Sequence, residues 1–168
     1  MPITLTVEDG TGVTGANTYA AAATVDTYHT DLGNSAWTGT DDAKAAAILR
    51  AMRYLESLAF KGVKEDQDNA LEWPRIGAVD RNGYEIDSDV IPQALINALC
   101  EASLVEVGSA NALRASMERG GQVIREKVDV LETEYAPGAP AGTVYPAVLS
   151  ELRGLIKGGG AAVGLVRA

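Results

Sequence analysis

Apolar and polar positions alternate at two different periods along this chain, and the period predicts the local structure. Residues 3–7, ITLTV, alternate and are β-branched, which predicts a short strand. The turn EDGTG follows, and Gly10, Gly12 and Gly15 punctuate a loop that reaches Tyr19. From Ala22 to Leu32 the spacing becomes helical. Val25, Tyr28, His29 and Leu32 share one face, and Gly33 is the stop. A second helix is predicted from Asp41 to Ala59. Thr40 is its N-cap, two aspartates lie in its first turn, and Ala45, Ile48, Met52, Leu55 and Ala59 form its apolar stripe. Pro92 opens a third helix that runs to Val107, with Ser88 or Asp89 near its cap and Leu95, Leu99, Ala102 and Val105 facing inward. Asn111 to Glu118 continues as a short helix. Residues 122–135, QVIREKVDVLETEY, alternate again and predict a β-hairpin with one wet face. The stiff linker APGAPAG leads to a last helix over Pro146–Lys157.

These elements define a mainly α fold with a small β component. It is a helical bundle plus a β-hairpin, with a body over residues 1–157 and a glycine-rich C-terminal arm over 158–168. The 168 residues suffice for one domain with a real core. Between the second and third helices, residues 61–89 form a long polar segment rich in carboxylates. Such a stretch is unusual inside a compact domain. It contains a turn at Arg81-Asn82-Gly83 and one anchor, Trp73-Pro74-Arg75. Proline holds Trp73 extended, so the three residues either pin the loop to its own core or form a subunit contact.

Charge narrows the function. With 14 basic against 23 acidic residues the chain carries −9, which disfavours general nucleic-acid binding, an affinity that rests on Lys and Arg neutralising phosphates. Residues 1–90 hold 15 acidic and 7 basic residues, a net of −8, whereas Arg153, Lys157 and Arg167 are followed or accompanied by no acidic residue to the end of the chain. A basic arm thus extends from an acidic body, hinged at Gly158, Gly159 and Gly160 and carrying the apolar pair Leu165 and Val166. No run of apolar residues is long enough to span a membrane, and the opening MPITLTVEDG lacks the basic and apolar regions of a signal peptide.

No catalytic constellation is legible, so the chain reads as a non-enzyme without metal or cofactor. The single histidine, His29, has no fixed partner and reads as structural. The single cysteine, Cys100, lies on the third helix's stripe and excludes an intrachain disulfide. Glu65, Asp66, Asp68 and Glu72 lack the spacing and central glycine of a calcium loop. The glycine groups lack the Lys-Ser/Thr of a phosphate loop.

Several segments together carry a resemblance: ITLTVEDGTGVTGANTYA, RYLESLAFKG, ALEWPRIGAVDRNGYEI, IPQALINALCEAS, REKVDVLETEY and YPAVLSELRGLI. Over about residues 1–157 the chain resembles the head–tail adaptor, or head completion, proteins of tailed bacteriophages. Members of that family often carry a label as DnaT-like single-stranded DNA-binding proteins. The resemblance implies a homo-oligomeric, dodecameric ring in the virion neck, assembled in the host cytoplasm. It implies docking beneath the portal protein, contact with a stopper or tail-completion protein, and passage of double-stranded DNA without specific binding. It also implies a C-terminal segment that grips the portal, here Arg153, Lys157, Gly158–Gly160, Leu165, Val166 and Arg167. The rival reading is the label's own, a single-stranded DNA-binding protein. That class needs a basic groove with aromatic platforms, and only 5% of these residues are aromatic.

Overall fold

Among the described residues four helices carry the core. The computed structural model describes residues 2–114, 126–128, 131–133 and 145–157. Helix α1 spans Ala22–Asp31, α2 Asp41–Leu55, α3 Gln93–Gly108 and α4 Pro146–Glu151. Helix α2 starts where the sequence predicts: the Thr40 hydroxyl accepts from the Ala43 amide at 3.2 Å, and Asp41 and Asp42 face the positive end of the helix dipole. Just past the end of α1 and its C-cap Leu32, Gly33 has a φ of +67°, the left-handed turn that glycine adopts without strain.

Helices α2 and α3 pack against each other, α4 lies on α3, and α1 touches both long helices. Their contact is made by alanines alternating with larger side chains: Ala47, Ile48, Ala51 and Leu55 from α2, and Leu95, Ala98, Leu99 and Ala102 from α3. All eight are fully buried. The small side chains let the helix axes approach, so the alanine content that looks weakly hydrophobic in composition becomes tight packing. From the C-terminal segment Val148, Leu152 and Leu155 close the core. On α1, Val25 and His29 face inward as expected, but Leu32 lies past the last helical residue and is 58% exposed.

The predicted strand at residues 3–7 does not form a ladder. The segment is extended, with a single parallel bridge between Val7 and Thr18. Asn17 supplies what a neighbouring strand would: its Oδ1 accepts from the Thr6 amide at 2.8 Å and its Nδ2 donates to the Thr4 carbonyl at 3.0 Å. Helix α2 ends at Leu55 rather than Ala59. Beyond it the chain must straighten so that Phe60 can form an antiparallel bridge with Ile156, framed by Lys61 N to Leu155 O and Lys157 N to Ala59 O. The same bridge shortens the last helix: α4 gives way to a 3-10 turn over Leu152–Gly154 instead of reaching Lys157. Neither Ser88 nor Asp89 caps α3. The Leu95 and Ile96 amides turn instead onto the Pro92 carbonyl.

Residues 61–89 fold into two small antiparallel pairings. Strand β1, Val63–Lys64, pairs with β2, Arg75–Ile76, in the register Val63 to Ile76 and Lys64 to Arg75. A second bridge, Val79 to Glu85, closes around the expected turn. There Asp80 accepts from the Asn82 and Tyr84 amides, and Gly83 has φ +90°. After α3 a 3-10 turn covers Ala112–Arg114, and the rest of the short helix expected to Glu118 lies outside the described residues. The expected hairpin is present as β3, Glu126–Val128, antiparallel to β4, Leu131–Thr133, with Val128 opposite Leu131.

Candidate functional site

The anchor Trp73-Pro74-Arg75 leads into β2, whose first residue is Arg75. A cis peptide bond joins Trp73 to Pro74, and the indole is fully buried with its ring edge-on to Phe60, 6.0 Å between centroids. The Trp73 amide donates to the Tyr19 hydroxyl at 3.2 Å. That hydroxyl donates to the Glu56 carboxylate, whose other oxygen accepts from the Glu72 amide at 2.8 Å. Arg75 is 6% exposed, and all three of its guanidinium nitrogens are engaged. Nε donates to Lys61 O (2.7 Å) and Nη2 to Gly62 O (3.0 Å). Nη1 donates to Glu72 O (3.0 Å) and to its Oε2 (2.8 Å). The three residues are buried within their own chain and hold the acidic segment onto the core. Among the described residues, the Trp73 Nε1 donor has no hydrogen-bond partner.

Two further carboxylates organise loops, and the sequence reading passed over both. Glu8 is 1% exposed and accepts from the amides of Gly10 and Gly12, both at 2.9 Å, and of Val13 at 2.8 Å, so the glycine-rich loop wraps a buried carboxyl group. Glu106 accepts from Arg50 Nε at 2.8 Å and from the amides of Asn111 (2.6 Å) and Leu113 (3.0 Å). The signal for Glu106 was present: it lies seven residues after Leu99 and four after Ala102, on the buried face that the sequence reading assigned to Val105.

His29 and Cys100 meet inside the bundle. His29 Nε2 lies 3.1 Å from the Cys100 carbonyl, and Nδ1 lies 3.0 Å from Asn34 Nδ2. An imidazole that donates to the carbonyl and accepts from the amide is neutral, and burial lowers its pKa. The cavity beside it, about 340 Å³, is bordered by Asp26, Trp37 and Lys44. These pair with one another, Asp26 accepting from Trp37 Nε1 at 2.6 Å and from Lys44 Nζ at 2.8 Å.

Burial pushes the Cys100 thiol up to about 12, and burial together with the Glu56 charge raises the Tyr19 phenol well above its usual value. Both groups ionise more readily in the unfolded chain. The stability they contribute is therefore complete below the unfolded values of roughly 8.5 and 10 and is lost as pH rises toward the folded ones. The thermal midpoint is expected to fall steadily from about pH 8.5 to about pH 11.5, with a shallower fall in Cys100→Ala. A midpoint flat across that range in the wild type would show that neither group is desolvated by folding.

On the surface, Arg153 and Lys157 are exposed, as are Glu65, Asp66 and Asp68. Gly158, Gly159, Gly160, Leu165, Val166 and Arg167 lie outside the described residues. Among the described residues no three His, Cys, Asp or Glu side chains gather where they could hold a metal ion.

The described residues thus define a mainly helical, acidic protein whose buried ionisable groups fasten its own loops. The family described as "Putative DnaT-like ssDNA binding protein" matches residues 3–168, and the chain belongs to that family. No curated protein and no solved structure matches it.

Proposed function

We propose that this chain is a structural, non-enzymatic protein of the tailed-phage neck. Its copies form a ring that docks beneath the portal, leads on to a stopper or tail protein and continues the DNA channel. The observation that carries this reading is an exposed apolar pair on an acidic body. Val63 is 62% exposed and Ile76 48%, and they stand opposite each other in the β1–β2 register, on one side of the pair. Adjacent exposed apolar side chains mark protein contacts. The segments quoted for the adaptor resemblance supply the partner, and the glycine-rich stretch after Lys157, with Leu165, Val166 and Arg167, supplies a means of attachment. A net charge of −9 suits a wall past which DNA slides without adhering.

The family's description favours a second reading, binding of single-stranded DNA. Both tryptophans are buried, and Tyr84, 74% exposed, offers one ring, whereas that activity uses a series of exposed aromatic platforms along a basic groove.

Mixing experiments separate the two. The full chain is expected to join purified portal rings, seen by negative-stain imaging, while a chain truncated after Lys157 keeps its thermal transition and no longer joins. A labelled oligonucleotide is expected to stay free at physiological salt. Tight oligonucleotide binding with a steep salt dependence, and no association with portal, would establish the second reading instead.

A further inference from the structure

Lys61, Arg81 and Arg153 come from three separate parts of the chain and line one open cavity of about 520 Å³, with Ser150 and Gly154. Their backbones are fixed. Lys61 N donates to Leu155 O at 2.8 Å, and Gly154 lies so close to the Arg81 turn that a Cβ there would stand 2.4 Å from the Arg81 nitrogen. Only glycine lets the turn and the 3-10 segment meet, and this contact brings Arg81 and Arg153 to one cavity. Among the described residues none of the three cations forms an ion pair, whereas Lys44, Arg50 and Arg75 each do. An adjoining slot of about 350 Å³ shares Arg81 and Gly154 and is walled by Ile86, Val90 and Leu155. The carboxylates at its rim are engaged, Asp80 by the turn amides and Glu151 by Asn97 Nδ2 at 3.4 Å.

A basic cradle beside an apolar slot calls for an occupant that is acidic and apolar at neighbouring points. The chain displays one. The β1–β2 unit carries the exposed Val63 and Ile76 side by side, and the chain joining its two strands carries the exposed Glu65 and Asp68. We infer that the β1–β2 unit of a second copy docks in the cradle and slot, its carboxylates against Lys61, Arg81 and Arg153 and its apolar pair against Ile86, Val90 and Leu155. Three cations on a body of net −9 release too few counterions to hold a nucleic-acid backbone at physiological salt, and no aromatic ring lines the slot to stack a base. Short-range pairing in a docked protein contact requires only local complementarity. This inference rests on the ring reading and names the contact between its subunits.

Sedimentation of the full chain over a range of concentrations tests it. Arg81→Glu with Arg153→Glu is expected to weaken self-association about tenfold or more, and Glu65→Lys with Asp68→Lys to do the same. All four side chains are exposed, so thermal transitions should match the wild type. Mixing the two variants restores association, because each reversed β1–β2 unit meets a reversed cradle. If both variants associate like the wild type, or the mixture does not recover, the docking pair is wrong while the ring stands. A wild type that neither self-associates nor joins portal rings removes the ring reading itself. A cradle variant that loses oligonucleotide binding with unchanged self-association overturns the proposal in favour of a nucleic-acid occupant.

Discussion

Replacing Glu106 by alanine is expected to destabilise the fold by about 3–5 kcal/mol. The Glu106 side chain is completely buried against α2, and its oxygens take three donors: Arg50 Nε and the amides of Asn111 and Leu113. Deleting the carboxylate takes the acceptor from both amides and leaves a guanidinium only 25% exposed with its Nη2 bond to the Glu106 carbonyl, at 3.0 Å, and no counter-charge. The turn after α3 is otherwise tethered by the Tyr145 hydroxyl, which donates to the Ala112 carbonyl at 2.6 Å but satisfies neither amide, and Asn111 sits at φ +65°, a conformation that few residues hold unaided. Glu106→Gln should lose less. It keeps the volume and one acceptor but aims an amide group at donors. Urea denaturation of the three proteins checks the order. A loss below about 1 kcal/mol for alanine would show that the Asn111 turn finds other partners.

The helices were legible because each has its own local grammar. Thr40 with Asp41 and Asp42, Gly33, and Pro92 all act within one turn of the boundary they mark, and the structure uses each near the predicted place. The errors have one physical form. ITLTV has the pattern of a strand, but a strand needs a neighbour, and the side chain of Asn17 took that place. Helix α2 stops early because Phe60 pairs with Ile156, 96 positions away, and no local pattern encodes that bridge. The buried carboxylates were missed for a related reason. Glu8 precedes a glycine loop that reads as a solvated turn, and only the folded backbone shows three amides converging on it. Arg75 looked available for a partner until Lys61, Gly62 and Glu72 were seen around it.

Trp73→Ala should cost about 3–5 kcal/mol, the range for deleting a fully buried large aromatic side chain. The indole is 0% exposed and fills the space between Phe60 and the loop that carries Glu72 and Arg75. Its own Nε1 has no partner among the described residues, so removing the ring breaks no side-chain hydrogen bond, and the whole effect comes from lost packing and the cavity left behind. The loss does not stay local. Phe60 touches Trp73 on one side and lies under the Arg75 guanidinium, 5.9 Å from its centre, on another, and its backbone bridges to Ile156. A hole at residue 73 therefore loosens both the acidic segment and the C-terminal bridge that places Arg153 and Lys61. Trp73→Phe should recover much of the stability, because it refills most of the volume and no hydrogen bond was at stake. The double variant Trp73→Ala with Arg75→Ala should fall short of the sum of the singles, since each already frees Phe60. Denaturant midpoints with unchanged slopes would establish these values. A Trp73→Ala protein as stable as the wild type would show that the loop is held by Arg75 and the Tyr19–Glu56 hydrogen bonds alone.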